Sequence, residues 1–484
     1  MEKNDLTLLT DLYQLTMMQG YYEKGLGNKI VVFDLFYRKN PSGNGYAIAA
    51  GLEQAIEYIN QLQFSKQDID YLKSLNIFSE DFIDYLKQFR FTGEIYAIPE
   101  GTVVFPHEPL MRVKAPIMEA QLIETALLNI INHQSLIATK ASRVVWAAQG
   151  DPVMEFGLRR AQGPDAGTYG ARAAVIGGCC GTSNVLTGKL FDVPVKGTHA
   201  HSWVMSFPDE LTAFRKYAEL FPNACTLLVD TYNTLESGVP NAIKVFQEMK
   251  DKGIELKNYG IRLDSGDLSY LSKQAKKMLE DAGFEDAVIS ASSDLDEYLI
   301  ANLKLQGAKI GLWGVGTKLI TSDDCPAFGG VYKLAAESDE NGNFIPKIKL
   351  SNNVEKVTNP GIKKIFRVYD KNTGKIKADV IALEEETVDE TKVLTLFDDS
   401  AKWKRMTLQP GTYTVRELLV PIFENGKCVY QSPKVMDMQT YCNKEKDTLW
   451  EEHKRNKNPH IVPVDLSEKL SALKSKLIEE MTVK

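Results

Sequence analysis

Apolar positions along the chain change their period more than once. Between residues 5 and 22, Leu8, Leu12, Leu15 and Met18 recur at three- and four-residue spacing, which predicts a helix. A strand-like run follows at 30–37 and is closed by Asn40-Pro41-Ser42-Gly43. Ser65 with Asp68 predicts a capping box at the start of a short helix. Short β runs lie around Ile95, Val103 and Met111, set off by Pro99, Gly101, Pro106 and Pro109. Pro116 then opens an apolar-periodic segment that reaches Gln149, with Gly150 just past its end. Pro at the start and Gly beyond the end predict one long helix that links or braces two domains.

From Asp151 the pattern alternates. β-type runs fall at 153–156, 183–186, 195–198, 226–230, 260–263, 287–290 and 309–312. Helical patterns lie between most of them, the clearest at 208–220, 235–252 and 267–282. Repeated βα units predict a parallel sheet, and so many of them over this length favour a closed barrel. After about 335 the alternation stops. Runs at 344–351 and 365–369 look like antiparallel strands, with turns at Asn341-Gly342 and 370–374, and 466–481 reads as an amphipathic helix with a basic bias. The expected domains are 1–150, 151–335 and 336–484.

Composition narrows the function. The chain has 484 residues, 44% hydrophobic and 25% charged, which suits an ordinary soluble enzyme rather than a disordered or fibrous chain. A net charge of −7 argues against a general nucleic-acid binder. No apolar run approaches the ~18 residues of a membrane span, and the acidic, unpatterned N-terminus does not read as a signal peptide. The six cysteines form no CxxC pair, so reduced thiols in a cytoplasmic protein are expected, without a disulfide framework or structural zinc.

In a barrel, chemistry gathers just after the strands. Six of the seven proposed strand ends carry Arg, Asp, His, Ser, Thr or Gly. Arg159 and Arg160 are candidate phosphate cations or plain surface charges. Gly314-Val315-Gly316-Thr317 is a late glycine turn suited to a phosphate, or simply a turn. Asp264-Ser265-Gly266-Asp267 could cap a helix, but Arg262 beside it favours a metal-bound polyphosphate. His199-Ala200-His201 could bind zinc or supply a nucleophile. A zinc hydrolase would need more histidines on later strands. The remaining ones are His107, His133, His453 and His460, and none lies in the βα region after His201. Metal-dependent hydrolysis is thus only a remote alternative. Asp323-Asp324 before Gly329-Gly330 reads as a polar turn, because no aliphatic strand precedes the acids.

Six segments in one order carry a resemblance. They are Thr10-Asp11-Leu12-Tyr13-Gln14, Glu155-Phe156-Gly157-Leu158-Arg159-Arg160, Gly197-Thr198-His199-Ala200-His201-Ser202, Asp230-Thr231-Tyr232, Ile261-Arg262-Leu263-Asp264-Ser265-Gly266-Asp267 and Gly314-Val315-Gly316-Thr317. Together the chain resembles the nicotinate phosphoribosyltransferase family. The resemblance implies an irregular TIM-like α/β barrel with an α+β domain built from N-terminal and post-barrel segments, usually as a homodimer with a shared active site. It implies transfer of phosphoribose from phosphoribosyl pyrophosphate (PRPP) to nicotinate, with ATP hydrolysis coupled through a phosphohistidine and Mg²⁺ required.

By the same resemblance, Tyr13 and Phe156 sandwich the pyridine ring, and the Tyr13 segment comes from the neighbouring subunit. Thr198 and Arg262 contact the nicotinate carboxylate. Arg159, Asp264, Gly314, Gly316 and Thr317 surround PRPP and its metal, with Asp264 the metal-ligand candidate. His201 is the phosphorylated histidine and Asp230 its orienting carboxylate, whereas His199 receives no role. Ser183 stands where the related nicotinamide enzyme has an Asp that would repel a carboxylate, which favours nicotinate over the alternative, nicotinamide. Quinolinate would demand a more basic pocket. A non-catalytic sensor on this fold would have lost chemistry residues that are all present here.

Overall fold

The computed structural model describes residues 5–398, 401 and 403–482. The chain divides into two compact units, 1–136 with 327–433 and 440–484, and 137–326 with 434–439. The divisions expected near 150 and 335 therefore fall earlier. The first lies inside the helix Glu124–Ala147, and a short piece of the tail returns to the middle unit. The expected single long helix is two, Ile117–Leu122 and Glu124–Ala147, parted at Ile123. Beside the break, the Leu122 carbonyl accepts the Thr10 hydroxyl at 3.3 Å.

The first unit joins early and late segments in one antiparallel sheet. Strand Ile30–Tyr37 lies inside it, between Gly330–Ser338 and Met111–Pro116. Its residues are buried on both faces, which explains a nearly continuous apolar run rather than an alternating one. Asp34 is the exception, and it is paired at 2.7 Å with the buried ammonium of Lys363. The turn read at Asn341-Gly342 lies in the hairpin joining Gly330–Ser338 to Phe344–Pro346. The capping box of Ser65 and Asp68 opens the helix Lys66–Ser74.

A second, mixed sheet is built from post-335 strands around the antiparallel hairpin of Lys363–Asp370 and Ile376–Leu383, with Val464–Leu466 parallel to the latter. Phe366, Val368, Val380 and Leu396 fill one face. On the other strand positions, Arg367 is fully buried and forks onto Asp379 at 2.6–3.1 Å, with Glu445 3.1 Å away. The expected tail helix is Glu468–Thr482.

The middle unit carries six parallel strands in the order Gly181–Thr182, Val153–Glu155, Leu312–Val315, Val288–Ala291, Gly260–Leu263, Thr226–Leu228. The first and last strands of the series, Val153–Glu155 and Leu312–Val315, are neighbours. Among the described residues, no strand pairing joins Gly181–Thr182 to Thr226–Leu228, so the ladder is open there.

Three strand expectations shift. The run at 183–186 is not a strand, because Asn184 caps the helix Val185–Phe191 by accepting the amides of Leu186 and Thr187. The run at 195–198 reduces to one bridge between Val195 and Thr182. The run at 309–312 moves to Leu312–Val315, which puts Gly314 inside the strand. No disulfide joins any of the six cysteines. Among the described residues, no helix is long and apolar enough to cross a membrane.

Removing Arg367 leaves the buried Asp379 carboxylate without its cation, while Glu445 keeps Arg416 at 2.8 Å. Arg367→Ala is expected to cost about 3–5 kcal/mol of stability, the usual penalty for breaking a buried pair, read from the urea midpoint.

Candidate active site

Parallel strands place all their C-terminal ends on one side of the sheet, so side chains distant in sequence converge there. A cavity of about 470 Å³ opens at these ends in the middle unit. Every candidate after a strand end except His201 and Asp230 lines it: Phe156, Arg159, Ser183, Thr198, Arg262 and Asp264, and on the last strand and its turn Gly314, Gly316 and Thr317. Tyr13 lies in the other unit, on the helix Leu12–Glu23, about half exposed, and is not among the lining residues.

Arg262 is the hub. Its guanidinium donates to Ser292 Oγ at 2.8 Å, to Thr198 Oγ1 at 3.0 Å and to Asp264 Oδ1 at 3.0 Å. Its carbon stands 5.8 Å from the centroid of the Phe156 ring. Ser292 also donates to Asp264 Oδ1. Asp264 is held from behind, because its amide and the Ser265 hydroxyl both donate to Asp230 Oδ2 at 2.7 Å.

This departs from the expectation for Asp230. It braces the turn after Gly260–Leu263, and its Oδ1 is buried without a hydrogen-bond partner among the described residues. The ring of His201 instead meets Thr231, with Nδ1 3.0 Å from Oγ1, while Nε2 stands 3.7 Å from Asp264 Oδ2. The carboxylate nearest His201 is thus Asp264, and its hydrogen-bond partner is the residue after Asp230. His201 is about two-fifths exposed at the start of the short helix His201–Met205.

Phe156 owes its position to glycine. A Cβ on Gly314 would stand 2.5 Å from the Phe156 ring, and one on Gly157 would stand 2.5 Å from Ile320. Glu155 anchors the same corner. It is buried, it accepts from the Thr182 hydroxyl at 2.6 Å and from the amide of Gly157, and burial raises its carboxyl above the usual range. Ser183 hangs from the Glu155 carbonyl through its own amide, 3.0 Å.

Arg159 and Arg160 are exposed on the turn Leu158–Arg160, and their guanidinium groups make no hydrogen bond or ion pair among the described residues. Two uncompensated guanidinium groups at the mouth of a cavity favour an anionic ligand. Asp323 and Asp324, read as a polar turn, are partners of a buried cluster. Lys140 binds Asp324 at 2.7 Å and Glu297 at 2.8 Å, and Arg143 joins them. Among the described residues no group of three or more His, Cys, Asp or Glu could hold a metal by itself.

Four contributors carried no assigned role in the sequence: Thr231, Ser292, Ser293 and Asp294. The last three follow the strand Val288–Ala291 directly and line the cavity, and that place in the chain is the signal that marks them. Ser293 has φ of 115°, a conformation costly for a residue with a Cβ and frequent at ligand sites.

His199 is buried, with Nε2 accepting the Leu228 amide at 3.2 Å, and burial pulls its pKa down to about 4. A folded-state pKa below the unfolded value makes the neutral ring the stabilising form. Stability is therefore present above about 6.5 and lost as pH falls towards 4. Urea unfolding across that window should lose up to about 3 kcal/mol through this residue, and His199→Gln should remove that part of the slope.

Family models match three stretches of the chain, the N-terminal domain of nicotinate phosphoribosyltransferase at 8–132, the family itself at 152–323 and its C-terminal domain at 362–474. A nicotinate phosphoribosyltransferase of Bacillus subtilis is 50% identical, over 99% of this chain and 96% of its own length. The crystal structure of human nicotinic acid phosphoribosyltransferase matches with a TM-score of 0.83 and 30% identity, covering 97% of this chain and all of that one. A nicotinate-nucleotide pyrophosphorylase from Pyrococcus furiosus shares the fold, with a TM-score of 0.70 at 22% identity over 93% of this chain and 98% of its own. Through full-length identity on this scale, and with its strand-end residues gathered around one cavity, the chain belongs to the nicotinate phosphoribosyltransferase family.

Proposed function

We propose that this chain transfers phosphoribose from PRPP to the ring nitrogen of nicotinate, releasing nicotinate mononucleotide and pyrophosphate in NAD salvage. The observation that carries the reading is the Arg262 hub. A guanidinium lies beside an aromatic ring, with Thr198 and Ser292 hydroxyls on its edges. That arrangement suits a flat ring bearing a carboxylate. The acid can take over donors now spent on hydroxyls, and the ring can stack on Phe156.

The reacting centre is the anomeric carbon of the ribose, which gains oxocarbenium character as pyrophosphate leaves. Catalysis then depends on placing the two partners and on stabilising the leaving group. Arg159 and Arg160 supply charge with no acid of their own. Thr317 and the glycine turn before it offer close backbone approach for a phosphate. Mg²⁺ fits the site as a cation held by few protein ligands and several phosphate oxygens, where it would neutralise the pyrophosphate. Asp264 would hold it, since its Oδ2 makes no hydrogen bond among the described residues while Oδ1 stays on Arg262.

ATP coupling belongs to the same reading. A neutral imidazole nitrogen of His201 attacks the γ-phosphate, the bond to ADP breaks, and the phosphoryl group rests on the ring. Asp264 is the acid near enough to stabilise the imidazolium, and Thr231 fixes the ring. The parallel sheet is read as an irregular barrel with one open seam. The shared site of a homodimer would bring Tyr13 of the partner subunit over the pyridine.

His201→Ala is expected to abolish ATP stimulation while leaving ATP-independent transfer. Nicotinate-stimulated ATPase at full rate in that variant would refute the phosphohistidine. Ser183→Asp should lower kcat/KM for nicotinate by about tenfold or more, the scale of a like-charge contact in a pocket, and an unchanged value would sink the specificity argument. Product formation from nicotinate, nicotinamide and quinolinate, each with PRPP and with or without ATP, tests the whole assignment.

A further inference from the structure

The open edge of the parallel sheet is closed by a side chain. The strand Thr226–Leu228 bonds a neighbouring strand on one side only, and just past its end the Val229 amide donates to the Arg262 carbonyl on that side at 3.2 Å. Amides alternate direction along a strand, so the Leu228 amide points the other way, to the edge that no strand covers among the described residues. It is buried there, and an unmade bond would carry a full desolvation cost. The acceptor it finds is His199 Nε2 at 3.2 Å.

His199 is well placed for this. The segment 194–196 runs along the far side of Gly181–Thr182, with the Thr182 amide on the Pro194 carbonyl and the Lys196 amide on the Thr182 carbonyl, both 3.0 Å. Three residues later the imidazole reaches across the gap. Its ring packs against Tyr217 and Phe214, with centroids 4.6 and 6.1 Å away. Nδ1 stands 3.4 Å from the Ala200 carbonyl. An Nε2 that accepts and an Nδ1 that faces a carbonyl define one tautomer, neutral with the proton on Nδ1.

The two segments so joined carry the two halves of the His201 site. Thr198 and His201 flank His199 in sequence, while Thr231 and Asp230 follow Leu228 within three residues. We propose that His199 is a positioning residue. Its bond to the Leu228 amide sets the distance between His201 and Thr231, and so tunes the step that uses the His201 ring. The proposal rests on the phosphohistidine reading of His201 for its functional consequence, and on geometry alone for the bond itself.

Two variants test it in the full chain. His199→Phe keeps an aromatic ring and removes the acceptor. His199→Gln returns an amide oxygen where Nε2 stood. Amide hydrogen exchange of 226–229, measured without any ligand, should rise about three- to tenfold in His199→Phe, the worth of one hydrogen bond, and return most of the way in His199→Gln. The ATP-stimulated rate should fall more than the ATP-independent rate in His199→Phe, and His199→Gln should restore their ratio. Unchanged exchange in His199→Phe, or an equal fall in both rates with no recovery in His199→Gln, would overturn the proposal. If the unmodified protein shows no ATP stimulation, the phosphohistidine reading fails instead, and the exchange result still decides whether the bond exists. Should His199→Phe not fold, His199→Gln is compared with the parent. Near-parental exchange and rate ratio would support the acceptor role, and raised exchange together with a lost rate ratio would contradict it.

Discussion

The site hangs on one guanidinium. Arg262 touches groups from separate parts of the chain: Thr198 past the Val195 bridge, Ser292 and the ring of Phe156 just after two other strands, and Asp264 just after its own. Its planar fork fixes angles as well as distances, so each neighbour is told where to stand by the same rigid group. A lysine could supply the charge and would lose that geometry. Behind it, Asp230 spends one oxygen on the Asp264 amide and the Ser265 hydroxyl. Asp230 therefore shapes the cavity from outside its wall. This also accounts for its absence from the side of His201: an acid at a strand end can serve the next strand's turn as readily as its own neighbour.

The hub works only because the backbone around it is unusually close. Gly314 lets the Phe156 ring come close against the last strand, and Gly157 lets the turn it opens meet Ile320. Glu155 then ties that corner to the second strand through Thr182. A stiff corner matters for a reaction with little covalent work for the protein to do. When the main task is to hold two substrates in line, small displacements of the holder cost rate directly.

Much of this was legible in the chain. The βα alternation placed the parallel strands, and the rule that polar residues follow strands pointed to Arg159, Thr198, Arg262, Asp264 and Thr317 from their positions alone. The strand Gly260–Leu263 and the cap at Asp267 lie where their residues predict. What failed has physical causes. A two-residue strand, Gly181–Thr182, has no periodicity to detect, and the Asn184 cap next to it turned an apolar run into a helix. The last strand slid by three residues because apolar residues continue on both sides of its true start. Bonding partners such as Thr231 and Ser292 were hidden because a hydroxyl's role is set by what faces it in space.

Charge brings the two scales of the molecule together. The chain as a whole carries −7, yet the cavity wall has three arginines, Arg159, Arg160 and Arg262, against two acids, Asp264 and Asp294. A surplus of a single formal positive charge cannot by itself neutralise a pyrophosphate ester. It can hold one that arrives with a divalent cation, since the cation offsets most of the phosphate charge and gives an acid such as Asp264 something to bind. Long-range repulsion from an acidic surface is screened within about 8–10 Å at physiological salt, so the local field decides. The wall's mixture of cations and acids is thus better matched to a metal-bound polyphosphate than either a purely basic or a purely acidic wall would be.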